Sequence, residues 1–283
     1  MNAAFSVFSP QQWKVLQALS LYRFLTVEQM VRLGISKNPK SLRDKTLFAL
    51  RHHGCIHSEK IGAFLPDVHH LTKKGAELLA LVEGTDVSVT ASNKKQPFSA
   101  MFARHRFAQV DFQIALHQWA EARGDAEVLL ELQDFISAPK TGKAKPKPST
   151  ELVVLELVNT IIPDGTFAVG LNSGPVAAYL VEIHRTSQSK AVTDQLAKYY
   201  EVIKSGIIEQ KYSLKANPII CSVHHQPSVL ASVKTRLNAH PGFAPFKHNF
   251  VFHGLDDLTT NFTSDWHFAD NTPANPFPDP IRS

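Results

Sequence analysis

IIPDGTFAVGLNSGPVAAYLVEIHRT, residues 161–186, is the stretch on which the fold turns. TFAVGL (166–171) and AAYLVEIHR (177–185) are apolar runs of strand length, and Asn172-Ser173-Gly174-Pro175 between them is turn chemistry, so the segment predicts two antiparallel strands. Asp164 enters the first strand in Pro163-Asp164-Gly165, and Glu182 lies near the end of the second, 18 residues on. Pairing across the turn brings both carboxylates to one end of the sheet. Glu182 stands between Val181 and Ile183, where a buried carboxylate without a partner is costly. Two carboxylates held together repel and raise one pKa unless a divalent cation lies between them. Asp164 and Glu182 are therefore candidate ligands for Mg²⁺ or Mn²⁺. Such a cation binds phosphate oxygens and lowers the pKa of a water, the requirements of phosphodiester cleavage.

Outward from this pair, a long helix is predicted from about Ser99 to Ala122, burying Phe102, Phe107, Val110, Ile114 and Trp119. Strand-like EVLLELQDF (127–135), a Lys/Pro-rich loop (138–150) and apolar LVVLELV (152–158) follow. Beyond the central pair come a helix from Ser187 to Ser205 with Val192, Leu196, Tyr199 and Ile203 on one side, PIICSV (218–223), a helix near 227–238, and FVFHGL (250–255). The order α, β, β, β, α, β, α, β defines an α/β (α+β) domain over residues 99–255. Residues 256–283 read as a Pro-rich polar tail in which only Trp266 and Phe268 can dock.

Residues 1–83 form a different module. Pro10 opens a helix with Trp13, Leu16 and Leu19, Thr26 caps a second one before Val27 and Met30, and Gly34 stops it. After Ile35-Ser36-Lys37-Asn38, a third helix, from about Pro39 to His53, buries Leu42, Leu47 and Leu50 and offers Lys40, Ser41, Arg43, Lys45 and Arg51 on other faces. Two short strands round Gly62 and a helix after Leu71-Thr72-Lys73-Lys74-Gly75 complete it, and polar residues 84–98 read as a linker. Charge is uneven: residues 1–95 hold 13 Lys and Arg against 7 Asp and Glu, while residues 96–283 hold 17 against 18. A surplus of +6 on one module and of carboxylates on the other suits a polyanion-binding part joined to a cation-binding part.

Some classes are excluded. No apolar run approaches a membrane span and the N-terminus lacks a basic n-region, so a soluble cytoplasmic protein is expected. Cys55 and Cys221 sit in no ligand spacing. Adjacent histidines such as His52-His53, His69-His70 and His224-His225 point to opposite faces of a strand and are not read as ligands.

Helix, helix, basic helix and hairpin resemble a winged helix-turn-helix, which implies that Lys37, Lys40, Ser41, Arg43, Lys45 and Arg51 contact duplex DNA. The αβββαβ order with Pro-Asp and then Glu-x-His resembles the PD-(D/E)xK restriction-endonuclease-like nucleases. Asp164 and Glu182 fall on the two acidic positions and His184 on the Lys position. More closely, RHRF (104–107), PDG (163–165), EIHRTS (182–187) and KYY (198–200) after a winged helix resemble the replication-relaxation family, which is similar to the MOBC relaxases of mobilizable plasmids. That resemblance implies a site drawn from His105, Glu131, Asp164, Glu182, His184 and Lys198, with Tyr199 and Tyr200 following. It departs at the third motif, where His184 replaces the family's Asp and Thr186-Ser187 replaces Gly-Thr. A neutral imidazole can orient or deprotonate a water but lacks the charge of Lys or Asp. The implied activity is metal-dependent nicking of one DNA strand at a plasmid origin of transfer. The implied partners are double-stranded DNA at an origin or operator, relaxosome or coupling proteins, and a second copy of the chain, with no membrane insertion. The competing class is a non-catalytic DNA-binding accessory factor.

Overall fold

A computed structural model describes residues 8–84, 100–135, 148–154, 160–172, 174, 176–215 and 218–278. The expected linker (84–98) and Lys/Pro-rich loop (138–150) fall largely outside those residues, as do residues 155–158 of the expected LVVLELV strand and the last five residues of the tail. The chain is mixed α/β and divides into two compact units, Met1–Asp111 and Phe112–Ser283.

In the first unit, α1 (Pro10–Tyr22) and α2 (Val27–Arg32) each begin at a capping box, Ser9 with Gln12 and Thr26 with Gln29. The third helical segment, α3 (39–52), is not the plain α-helix expected. Between Pro39–Ser41 and Phe48–His52 it passes through a π-helical stretch, Leu42–Leu47. Its wider turn lets the consecutive Thr46 and Leu47 both face inward with Leu42 and Leu50, Thr46 donating its hydroxyl to Gln11 Oε1 at 2.7 Å. Strands β1 (Ile56–Glu59) and β2 (Val68–Leu71) pair antiparallel, Ile56 opposite Leu71, and Leu25 bonds His69 on the free side of β2. Helix α4 (Lys73–Glu83) starts at Thr72, whose hydroxyl accepts the Gly75 N–H at 3.1 Å. Gly75 is required by close approach: a Cβ there would lie 2.0 Å from the Cys55 carbonyl oxygen. Gly75→Ala must push two backbone segments apart and is expected to cost this unit about 1–3 kcal/mol. Chemical denaturation followed by hydrogen exchange in residues 56–83 measures the loss, and unchanged protection would refute it.

Helix α5 (Ala100–Arg123) carries Val110, Phe112, Ile114, Leu116 and Trp119 inward, whereas Phe102, expected to be buried, is 56% exposed. In the second unit, β3 (Ala126–Gln133), β4 (Gly165–Leu171), β5 (Ala177–His184), β6 (Pro218–His224) and β7 (Phe250–Gly254) make one sheet in sequence order. The first three strands are antiparallel, and β6 and β7 add in parallel. The central pair lies as expected, with Gly165 opposite Val181 and Val169 opposite Ala177. Within LVVLELV, Leu152 makes only an isolated bridge to Ile161 among the described residues.

In-register partners share a face, so the sheet sorts into two sides. Phe167 and Tyr179 point toward Phe112 and Trp119 of α5. Ala178, Leu180, Ile220, Phe250 and Phe252 point toward α6 (Ser189–Ala197), α7 (Tyr199–Ser205) and α9 (Pro227–Asn238), with the short α8 (Ile207–Tyr212) contributing Ile208. The single helix expected over 187–205 is two, because i→i−3 bonds at Lys198 and Glu201 tighten the turn between them. The expected polar tail is also corrected. Phe277 is fully buried, stacked on Phe262 at 4.4 Å and Tyr179 at 4.8 Å, and Tyr179 and Trp119 donate to the Pro276 and Pro278 carbonyls. Widely spaced aromatics anchor this segment although its average composition is that of a loop. Among the described residues no helix is long and apolar enough to cross a membrane.

Candidate active site

Asp164 and Glu182 meet because the β4–β5 register places them opposite each other one step beyond Gly165 and Val181. The Asp164 carbonyl accepts the Asp134 N–H at 3.1 Å, which continues the ladder to β3, and its carboxylate Oδ2 accepts the Ile183 N–H at 2.7 Å. The Asp164 side chain is thereby fixed against the backbone of β5, next to Glu182.

Glu182 is only 2% exposed, on the face covered by α6 and α7. Tyr199 donates its hydroxyl to Oε1, and Gln195 donates its amide N–H to Oε2 at 2.8 Å. Gln195 and Tyr199 are four residues apart and so reach the carboxyl from one side of the helical stretch. Burial first, and then the charge of Asp164, push the Glu182 carboxyl well above the ordinary glutamate range, against the pull of its two donors. Burial, and then Glu182 itself, hold the Tyr199 phenol well above its usual value.

The polar line continues across the strands. His184, two residues after Glu182 on the same face, is 5% exposed and packs against His224, ring centroids 4.8 Å apart. Its register partner His224 shares a 2.8 Å hydrogen bond with Ser222 Oγ, and burial pushes its imidazole down to about 4. Lys234 of α9 lies over the Phe252 ring at 5.6 Å and donates to Asn271 Oδ1 at 3.1 Å; burial lowers its ammonium pKa.

Of the residues expected in the site, the structure gathers Asp164, Glu182 and His184 at one end of β4 and β5. Lys198 is half-buried at the joint beside Tyr199. Glu131 is elsewhere: paired with Phe167, it lies on the other face of the sheet and bonds His117 of α5 at 3.0 Å. Strict alternation would put Glu131 on the same face as Leu129, but an irregularity between Val128 and Leu130 breaks it, and Leu129 is 50% exposed. His105 is half-buried in the first unit. Lys37, Lys40, Arg43, Lys45 and Arg51 are exposed; Ser41 is half-buried and gives its N–H to the capping Asn38 at 3.0 Å.

Gln195, Ser222 and Lys234 were not singled out from sequence, and His224 was named there only to be set aside as a metal ligand. The i, i+4 pair Gln195 and Tyr199 on the helix after the Glu182 strand was a readable signal; the histidine contact depends on a register between strands 40 residues apart. Among the described residues no group of three or more His, Cys, Asp or Glu side chains is placed to hold a metal ion. The pair Asp164 and Glu182 offers two hard oxygen donor groups, and Mg²⁺ commonly binds one or two carboxylates and completes its shell with water and substrate phosphate. The two carboxylates are the right donor type for such an ion, and each Glu182 oxygen, while accepting one hydrogen bond, keeps a second lone pair.

The family model described as replication-relaxation matches residues 16–217, from within α1 to just past α8, including Asp164 and the strand that carries Glu182. No curated protein and no solved structure matches the chain.

Proposed function

The chain belongs to the replication-relaxation family, and from that premise we propose that it is a DNA-processing protein of a mobile element that holds duplex DNA with its first unit and nicks one strand at a plasmid origin of transfer with its second. The observation that carries the reading is the convergence of Asp164 and Glu182 at one end of β4 and β5, with the Glu182 carboxyl raised by burial first and then by the charge of Asp164. The meander of three antiparallel strands, the helices after it and the parallel β6 support a PD-(D/E)xK-like arrangement. The helices α1–α3, the β1–β2 hairpin and the +6 charge of residues 1–95 support a winged helix on DNA.

In this reading Asp164 and Glu182 hold a Mg²⁺ or Mn²⁺ ion, which when bound supplies Lewis-acid stabilisation of the phosphate and a more acidic water. Tyr199 and Gln195 fix the direction of the Glu182 carboxylate. His184 stands at the position where the nuclease superfamily has a lysine and takes the proton of the attacking water. The test is incubation of the protein with supercoiled plasmid carrying the element's origin, with Mg²⁺ or Mn²⁺ and with EDTA. Nicked circles in the metal arms alone are expected; tight binding without nicking in any arm would replace this reading.

One observation favours that replacement, a non-catalytic accessory factor. Both Glu182 oxygens accept hydrogen bonds from the helices that cover them, and His184 is buried with it. An inert site would be packed in this way, and the nicking assay separates the two readings.

For the first unit, phosphate contacts release counterions, so the affinity of the full chain for duplex DNA is expected to fall steeply with salt. Lys40→Ala, Arg43→Ala or Lys45→Ala should each weaken binding and reduce the slope of log affinity against log salt by about one. Fluorescence anisotropy titrations at several salt concentrations measure both; a slope unmoved by all three substitutions would take DNA binding away from α3.

A further inference from the structure

We propose that Phe48 is a base-reading side chain that packs on the 5-methyl group of a thymine in the major groove of the bound duplex. The inference rests on the DNA-holding role of the first unit and adds its specificity.

Phe48 is 59% exposed on α3. The opposite side of that segment is already filled by Leu42, Thr46, Leu47 and Leu50, all buried, so the rotation of the helix is fixed and Phe48 has no place in the core. Leaving most of a phenylalanine ring in water forgoes the gain from burying it, which a partner can recover. Its neighbours on the helix surface, Asp44, Lys45, Arg51 and His52, are all exposed, and the His52 ring lies parallel to it at 8°. With Lys40 and Arg43 the segment presents four cations and one anion. The π-helical stretch widens the turn just before Phe48 and brings the consecutive Arg43, Asp44 and Lys45 together on the exposed side; such stretches are frequent at functional sites.

An apolar ring inside a cationic surface suits a ligand with a charged rim and an apolar spot at its centre. Duplex DNA meets that description: phosphates line the groove for the cations, and among the base edges of the major groove only thymine offers an apolar group. A phenyl ring has no hydrogen-bond donor or acceptor, so it can read that methyl and nothing else there.

The experiment selects binding sites for the full chain from a pool of short duplexes with a randomised core, using wild type and Phe48→Ala. The wild-type pool is expected to fix a thymine that the Phe48→Ala pool does not. Replacing that thymine by deoxyuridine, which lacks only the methyl, should weaken wild type by about 3- to 10-fold and leave Phe48→Ala unchanged. Identical pools, or indifference of wild type to deoxyuridine, would overturn the proposal while salt-dependent binding of the pool leaves the DNA-holding role standing. Absence of binding to any duplex would remove both. Sedimentation of the two proteins adds a further arm: a change in oligomeric state on Phe48→Ala would assign the ring to an interface between copies and overturn the proposal.

Discussion

Asp164→Asn is expected to leave the protein folded and bound to DNA but to lower nicking by about 10²–10⁴-fold, since a metal-held phosphate is worth several kcal/mol to the transition state. The substitution is chosen for what it keeps. An asparagine oxygen can still accept the Ile183 N–H that Asp164 Oδ2 accepts at 2.7 Å, so the anchoring of β4 on β5 survives while the charge is lost. Two readouts besides activity follow from the same charge. Mn²⁺ binding, followed by calorimetry, should fall below detection, because Glu182 alone is one buried carboxylate against a divalent ion. The upward push on the Glu182 carboxyl should also weaken, since Asp164 is its largest charged contributor after burial. Infrared bands of protonated and ionised carboxyls report that change directly. Equal Mn²⁺ binding in the two proteins would remove the shared-cation site, whatever the nicking assay gives. DNA affinity that fell in parallel with nicking would instead indicate that the variant had lost its fold, and protection of the β4 and β5 amides from exchange checks this.

What could be read from the chain alone were features carried by short stretches. Asp164 directly precedes β4, and only five residues (172–176) separate β4 from the strand that bears Glu182, so their register follows from local chemistry, and the carboxylates came together as expected. Thr26 likewise announced its own cap, closed by Gln29 three residues on. What was not readable depended on distant partners or on small breaks in period. Phe277 is held by Trp119, more than 150 residues earlier, and nothing in its Pro-rich surroundings signals a core residue. Glu131 shares Leu129's parity in an ideal strand, yet an irregularity at Val128/Leu130 parts them: Leu129 is exposed while Glu131 turns in against His117 of α5, on the sheet face away from Glu182. Tyr199 looked like a core aromatic and is one, at 0% exposure, but its hydroxyl ends on Glu182. Burial and function are compatible there because an aromatic ring can pack while its polar tip meets a buried acceptor.

Mild acid is expected to loosen the first unit before the second. His69 is 2% exposed, with its Nδ1 on Ser58 Oγ at 2.7 Å; burial above all, opposed by Asp67 and aided by Arg51, His70 and Arg43, pushes its imidazole down to about 4. The unfolded chain titrates near 6.5. Between those values the unfolded state binds the proton and the folded state does not, so stability falls as pH drops through that window and levels off below it. A shift of this size corresponds to about 3 kcal/mol, complete at neutral pH and lost near pH 4. His70, lowered by burial as well, acts in the same direction. In the second unit His224 repeats the effect, but Glu182 opposes it: a carboxyl raised in the folded state costs stability as pH rises, and acidification returns that contribution. Hydrogen exchange of the full chain from about pH 6.5 to 4.5, corrected for intrinsic rates, should therefore show residues 56–83 losing protection ahead of residues 177–224. The double variant His69→Phe with Ser58→Ala carries no titrating group at that position and no stranded hydroxyl, and it should flatten most of the acid response of the first unit. Parallel loss in both units, or an unaltered acid response in the double variant, would show that the buried imidazole of His69 does not set the acid sensitivity of the hairpin.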